Sequence, residues 1–176
     1  LGTLDDNGDG SWVYTPATGD DSGVSFSYTI TDDGLTDGVA GNLSIAGTAV
    51  LDITPVNDTP TSSQVSLSAI AEDSGGYTIT TSALLANAAD VEGDTLSVSA
   101  LAISRGLGTL VDNGVGRRVY TPATGDASGV SFSYTITDDG LTDGVVGNLS
   151  IAGTLVLAIT PVNQTPTISH VTFPTF

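Results

Sequence analysis

The stretch GVSFSYTITDDGLTDG occupies residues 23–38 and returns unchanged at residues 129–144. Its first half alternates aliphatic and aromatic residues with serine and threonine, which is the pattern of a β-strand with one face in a core. The second copy starts 106 residues after the first, and a near-identical unit of that length is a small domain rather than a short solenoid repeat. The sequence therefore predicts tandem copies of one all-β domain.

The repeat also defines the domain boundaries that we expect. Residues 1–60 correspond to the later part of one repeat, residues 61–166 to a complete repeat, and residues 167–176 to the start of a third. We therefore expect the chain to be a window of a longer array. The complete repeat predicts strands at about 65–69, 77–81, 95–103, 107–111, 117–121, 130–137 and 148–160, with one helical turn at 83–87. Seven short strands in one domain of this size predict a Greek-key β-sandwich of the immunoglobulin-like kind.

A proline-bounded linker joins the copies. PVNDTP at residues 55–60 returns as PVNQTP at residues 161–166. Two prolines so close together restrict the backbone. The linker is therefore predicted to be a short, semi-rigid joint, and the domains are expected to stack end to end as a rod.

The composition excludes several classes of function. The net charge is −17, with three arginines and no lysine, which argues against nucleic acid and anionic membranes as partners. Hydrophobic residues make up 39% of the chain, which argues against disorder. There is no cysteine for a disulfide or a thiolate metal site, and no apolar run long enough for membrane insertion. A lone histidine, His170, offers no Ser–His–Asp constellation, so we do not expect an enzyme.

Carboxylates concentrate where strands are expected to end next to the linker. Calcium takes about six to eight oxygen ligands at one point, and only such a joint lets loops from two domains meet. Four segments are expected to converge on the first joint, and they contain Asp20, Asp21, Asn57, Asp58, Asp90, Glu92, Asp94 and Asp138. The alternative is that these side chains decorate turns and keep a long protein soluble.

These segments resemble cadherin repeats, and specifically the bacterial cadherin-like (VCBS/tandem cadherin-like) repeats of large RTX-type surface adhesins. The linker VNDTP is similar to the family motif Asp-x-Asn-Asp-Asn-x-Pro, although Thr59 replaces its third Asn. DVEGD at residues 90–94 is similar to Asp-Ala-Asp-x-Gly-Asn, with Glu92 replacing the second Asp. Asp20 and Asp21 stand where the family carries Asp-Arg-Glu, and Asp138 where it carries an Asp after the sixth strand.

The resemblance implies a seven-stranded cadherin-like sandwich with Ca²⁺ at each joint, in an extracellular rod that serves adhesion. AED at residues 71–73 resembles the first-strand Glu motif of the family, which serves the following joint. The residues implied at that second joint are Glu72, Asp73, Asp126 and Asn163.

The two copies differ at the joints. Asp21 corresponds to Ala127 and Asp58 to Gln164, so the second joint lacks two of the candidate ligands. We therefore expect it to bind calcium more weakly, or to bind fewer ions, than the first.

The leading prediction is a calcium-stiffened extender of a bacterial surface or secreted adhesin, acting as a spacer in cell adhesion or biofilm. Its partners are then the neighbouring repeats of the same chain. One alternative is a carbohydrate-binding module, because Trp12 corresponds to Arg118 in the copy and is expected to be partly exposed, where it can stack on a polysaccharide. Another is a filament subunit, in which strand exchange with another copy completes the first repeat.

Overall fold

A computed structural model describes residues 2–168, which form short and medium β-strands with one helical turn. The chain divides into two compact units. Unit 1 contains the residues up to Pro60 together with Asp90–Thr95 and Asp138–Leu149, and unit 2 contains Thr61–Ala89, Leu96–Thr137 and the residues from Ser150 onward. In chain order the elements are β1 (Thr3–Asp6), β2 (Trp12–Thr15), β3 (Val24–Thr31), β4 (Leu35–Thr36), β5 (Val39–Ala40), β6 (Ser44–Leu51), β7 (Thr61–Ser62), β8 (Val65–Ala71), β9 (Tyr77–Thr80), α1 (Thr81–Leu84), β10 (Ala88–Ala89), β11 (Ser97–Arg105), β12 (Gly108–Asp112), β13 (Arg117–Pro122), β14 (Val130–Thr137), β15 (Leu141–Thr142), β16 (Val145–Val146) and β17 (Ser150–Thr160).

Unit 2 is an all-β sandwich, as the sequence predicts. One sheet has the strand order β11-β14-β17-β8 and the other β12-β13-β9. Neighbouring strands are antiparallel except β17 and β8, which run parallel. All seven predicted strands are present with ends within a few residues of the expected ones. The helical turn begins two residues earlier than predicted, because the Thr80 hydroxyl caps it by accepting the Ala83 N–H at 3.2 Å.

The core of unit 2 forms on the apolar side of β14. Phe132 and Ile136 are almost completely buried, and the serines and threonines between the apolar positions are more exposed. The rings of Tyr120 and Phe132 meet edge to face at 5.3 Å, a favourable geometry for aromatic pairs. The Tyr134 hydroxyl donates to the Leu84 carbonyl at 2.7 Å, which ties β14 to α1.

Unit 1 contains the first copy of the same strands. A turn at residues 7–11 joins β1 and β2 in a hairpin, and β3 pairs antiparallel with β6. The Tyr14 and Phe26 rings meet edge to face at 5.4 Å, as their counterparts do in unit 2. The apolar side of β3 is nevertheless open, since Tyr28 is 48% and Ile30 is 58% exposed.

Candidate metal centre

Unit 1 brings together acidic side chains from four separate segments. Asp20 and Asp21 follow β2, the linker carries Asn57 and Asp58, the loop 90–94 precedes β11, and Asp138 follows β14. An open cleft of about 540 Å³ has five carboxylates in its lining, from Asp20, Asp21, Asp58, Glu92 and Asp94. These are the residues for which the sequence predicts convergence at the first joint.

Asp138 is the most buried of these acids, at 1% exposure. Its Oδ1 accepts the Asn57 amide at 3.0 Å, the Gly140 N–H at 3.2 Å and the Leu149 N–H at 2.9 Å. Burial alone raises the pKa of this carboxyl, but the three hydrogen bonds outweigh burial and hold the pKa below its ordinary value. Asp138 therefore stays ionised, and its Oδ2 is buried with no hydrogen-bond partner among the described residues.

Asn57 fixes the linker against Asp138. Its Nδ2 donates to Asp138 Oδ1 and to the Gly147 carbonyl at 2.9 Å, which leaves its buried Oδ1 without a donor in the described part of the chain. Gly140 lies directly beside this oxygen, and a Cβ on Gly140 would overlap both Asn57 Oδ1 and Asp94 Oδ2. An amide oxygen and a carboxylate oxygen therefore point at the same small space.

The loop 90–94 presents three carboxylates together. One oxygen each of Asp90, Glu92 and Asp94 lies within 4.8 Å of the other two. Asp90 Oδ1 accepts the N–H groups of Glu92 at 3.1 Å and Asp94 at 3.2 Å, while Asp90 Oδ2 is buried with no partner in residues 2–168. Glu92 Oε2 accepts the Asp58 N–H at 3.2 Å, so this loop also contacts the linker.

The electrostatics of unit 1 are strongly one-sided. All three arginines belong to unit 2, so no lysine or arginine of unit 1 neutralises its acids. Burial raises the pKa of Asp94, and the charges of Asp90, Asp139 and Asp138 raise it further. Hydrogen bonds, of which the one from the Ser22 hydroxyl has the largest effect, by contrast lower the pKa of Asp20 to about 2.

The donor set fits a hard divalent cation. Asn57, Asp90 and Asp138 each have one polar atom held by protein hydrogen bonds and one buried oxygen to which no group of residues 2–168 donates. Buried acceptors of this kind are costly unless a donor or a cation satisfies them. Carbonyl and carboxylate oxygens, without nitrogen or sulfur, are the ligands that Ca²⁺ prefers. These residues, with Asp94 beside them, are therefore able to hold such an ion.

The residues implied at the second joint lie in unit 2 and are largely occupied by protein contacts. Glu72 is buried and accepts the Val162 N–H at 2.8 Å. Asp73 accepts the Gln164 amide at 2.9 Å, and Asn163 is exposed. Asp126 alone of these four predicted residues repeats the pattern of unit 1, because its Oδ1 accepts the Ser128 N–H at 3.0 Å and its Oδ2 is buried without a partner in residues 2–168.

The hairpin that follows β14 adds contacts to the site. The sequence places Asp139 next to Asp138 at this joint, but it does not identify Thr142 as a contact of the linker. Asp139 accepts the Thr95 N–H at 2.7 Å, and the Thr142 hydroxyl accepts the Asn57 N–H at 3.3 Å. Residues 138–149 repeat residues 32–43 with one difference. The sequence DDG, present in both copies, could have indicated the turn that begins this hairpin. In the first copy Asp32 makes the same turn, since it accepts the N–H groups of Gly34 at 3.2 Å and Leu43 at 2.8 Å.

Comparison with known proteins identifies the family. The model of the cadherin-like domain matches residues 1–46 and 56–152. The chain therefore belongs to the cadherin-like domain family, whose members are usually extracellular β-sandwich modules. No curated protein matches the chain. The described residues 2–168 contain no helix with the length and hydrophobicity that a membrane span requires.

Among solved structures the chain is similar to parts of two endo-fucoidan hydrolases of glycoside hydrolase family 107. With MfFcnA4 the identity is 20% and the TM-score 0.39, over 92% of this chain and 22% of the enzyme. With MfFcnA9 the identity is 18% and the TM-score 0.34, over 89% of this chain and 25% of the enzyme. The chain thus spans about a quarter or less of the length of these enzymes.

Proposed function

We propose that the chain is a calcium-stiffened extender of a bacterial surface or secreted adhesin, with a structural rather than a catalytic role. Its partners are the neighbouring repeats of the same chain. The observation that carries the proposal is the set of buried oxygens of Asn57, Asp90 and Asp138 that have no donor within the described part of the chain. In this proposal bound Ca²⁺ supplies the partner that these oxygens lack.

The positions of Asn57, Asp90 and Asp138 in the sequence suggest how bound Ca²⁺ stiffens the joint between repeats. Asn57 belongs to the linker, whereas the loop 90–94 and Asp138 come from the repeat that follows it. All of them belong to unit 1, with the residues that precede the linker. An ion held by these groups cross-links the linker to the next repeat and resists bending at the joint.

The charges explain why calcium acts as the switch. Without an ion, the pKa of Asp94 is raised first by burial and then by repulsion from the charges of Asp90, Asp139 and Asp138. Bound Ca²⁺ replaces this repulsion by attraction. Extracellular calcium modules have dissociation constants of about 10⁻⁴–10⁻³ M, so the joint is expected to be loose at the calcium levels inside a cell and rigid outside.

The test uses two aspartates in nearly identical sequence contexts. Asp138 is buried against Asn57, whereas Asp32, its counterpart in the first copy, is exposed. Calcium titrated into the full chain by calorimetry should bind with sub-millimolar to millimolar affinity. Asp138→Asn should weaken this binding at least tenfold, and Asp32→Asn should leave it unchanged.

A second measurement addresses stiffness. Small-angle scattering of the full chain should give a narrower distance distribution in calcium than in EDTA, and Asp138→Asn should remove the difference. A calcium ion at saturation near 100 times its dissociation constant stabilises the bound state by about 2.7 kcal/mol. Equal calcium affinities of the two variants, or a distribution that ignores calcium, would refute the proposal.

A further inference from the structure

Unit 1 has an apolar surface that its own strands leave uncovered. A cleft of about 850 Å³ runs along it, and the large side chains that line it are Leu4, Trp12, Tyr14, Phe26, Tyr28 and Leu51. We call these six residues the open face. Trp12 is 60% and Leu51 45% exposed, and contiguous exposed apolar surface is a feature of protein–protein interaction sites.

In unit 2 the residues that correspond to the open face are buried by another part of the chain. Phe132, Tyr134 and Leu157 are the counterparts of Phe26, Tyr28 and Leu51, and each is at most 3% exposed. They share one core with side chains of residues 61–106, of which Val65, Ile79 and Leu84 are the most buried. Residues 61–106 are the covering segment of unit 2.

The covering segment also closes three strand edges. In unit 2, β8 pairs with β17, β9 with β13 and β11 with β14. In unit 1 the counterparts of β17, β13 and β14 are β6, β2 and β3, and each pairs with one strand only in the described residues. The open face is thus framed by three strand edges whose backbone groups are free to pair.

We propose that the open face of unit 1 accepts a further polypeptide segment of the same kind as residues 61–106, which adds three strands to it. Backbone pairing supplies affinity in such strand addition, and side-chain pockets supply specificity. A sugar stacked on Trp12 covers aromatic rings but leaves the three edges unpaired. A second copy of residues 1–176 is also a poor occupant, since these residues contain one covering segment and two faces that need one.

One difference between the units defines the occupant more closely. Leu155 is completely buried and pairs with Val65 of the covering segment, whereas its counterpart in unit 1 is Ala49. A segment with valine at the Val65 position leaves a void beside Ala49, and packed interiors contain few voids of that size. The preferred occupant therefore carries a larger side chain than valine at this position.

Trp12 allows a direct test, because it is the only tryptophan of the chain and residues 61–106 contain none. A synthetic segment 61–106 is titrated into the full chain in EDTA, and tryptophan emission is recorded. We expect a blue shift that saturates at one segment per chain. The Ala49→Leu chain should bind the segment at least tenfold more tightly. A control segment with Ile79→Asp and Leu84→Asp should produce no shift.

A fusion keeps the proposal testable if the free segment aggregates. Residues 61–106 joined directly before residue 1 should bury Trp12 and lower its quenching by acrylamide at least threefold, whether calcium is present or absent. The proposal is overturned if Trp12 stays exposed in the fusion. It is also overturned if the unmodified chain buries Trp12 by self-association, or if oligosaccharides shift its emission while the segment does not.

Discussion

Phe26 and Phe132 provide an internal measurement of what the covering segment contributes. They occupy identical positions in β3 and β14, and each meets a tyrosine ring edge to face, at 5.4 Å and 5.3 Å. Phe132 is 1% exposed, whereas Phe26 is only partly buried. Replacing each by alanine removes the same ring and the same aromatic contact, so the difference between the two costs reports the burial.

The structure sets the size of both effects. Truncation of a fully buried phenylalanine costs about 3–5 kcal/mol, and we expect this cost for Phe132→Ala. Phe26→Ala loses the aromatic contact, about 0.5–1.5 kcal/mol, and little packing on the open side. Its expected cost is therefore about 1–2 kcal/mol.

Urea unfolding separates the two units by probe. Trp12 fluorescence follows unit 1, whereas far-UV circular dichroism follows the strands of both units and therefore mainly those of unit 2, which has more strand residues. With a denaturant slope of about 1–3 kcal/mol per molar urea, Phe132→Ala should lower the circular dichroism midpoint by roughly 1–3 M. Phe26→Ala should move the Trp12 transition by less than this, and should leave the main part of the circular dichroism transition, which comes from unit 2, in place. Equal costs for the two variants would mean that β3 is as well covered in solution as β14, and the reasoning would fail.

Three further predictions concern the acidic sites. Gly140→Ala places a methyl group against the oxygens of Asn57 and Asp94 and should weaken calcium binding at least tenfold in calorimetry, whereas Gly34→Ala should not. Asp94→Asn removes a carboxyl with a raised pKa, so in EDTA it should raise Tm at pH 7; the gain should vanish as the pH falls through that pKa and the wild-type carboxyl protonates. Gln164→Asp replaces an amide donor by a carboxylate, and should lower Tm in EDTA and add calcium-dependent stabilisation. The predictions for Asp94→Asn and Gln164→Asp would be contradicted if the Tm of each variant equalled that of the unmodified chain, in EDTA and in calcium.

The strands were predictable because the sequence alternates so regularly. Period-two patterning identifies which face of β14 is apolar, and the Gly-rich turns between patterned segments mark where strands end. Burial was not predictable in the same way. The sequence VSFSYTIT forms a strand in both units, but it is buried only where residues 61–106 cover it. Burial of a strand depends on residues far away in the sequence, so the identical sequences of β3 and β14 differ in burial.

In the candidate metal site, too, the local contacts could be predicted from the sequence and the non-local contacts could not. Asp138 accepting the Gly140 N–H is a local turn, and Asp32 makes its equivalent in the first copy, so this part follows from the sequence. The contact between Asn57 and Asp138 joins residues 81 positions apart, and it is this contact that accompanies the burial of the carboxylate. The spacing along the chain predicts that both residues lie at one joint. It does not predict the orientation of the Asn57 amide, or that Gly140 lies against the oxygens of Asn57 and Asp94.

The parallel pairing of β8 with β17 has a mechanical consequence. In unit 2, β8 is the first long strand and β17 the last strand, and the two lie side by side from the pair Val65 and Leu155 to the pair Ala71 and Thr160, with one register shift between Leu157 and Ile159. A tensile force on the chain therefore pulls these neighbours in opposite directions along their length. Their hydrogen bonds are loaded in shear and must yield together instead of unzipping one at a time. Such a geometry suits a protein under load.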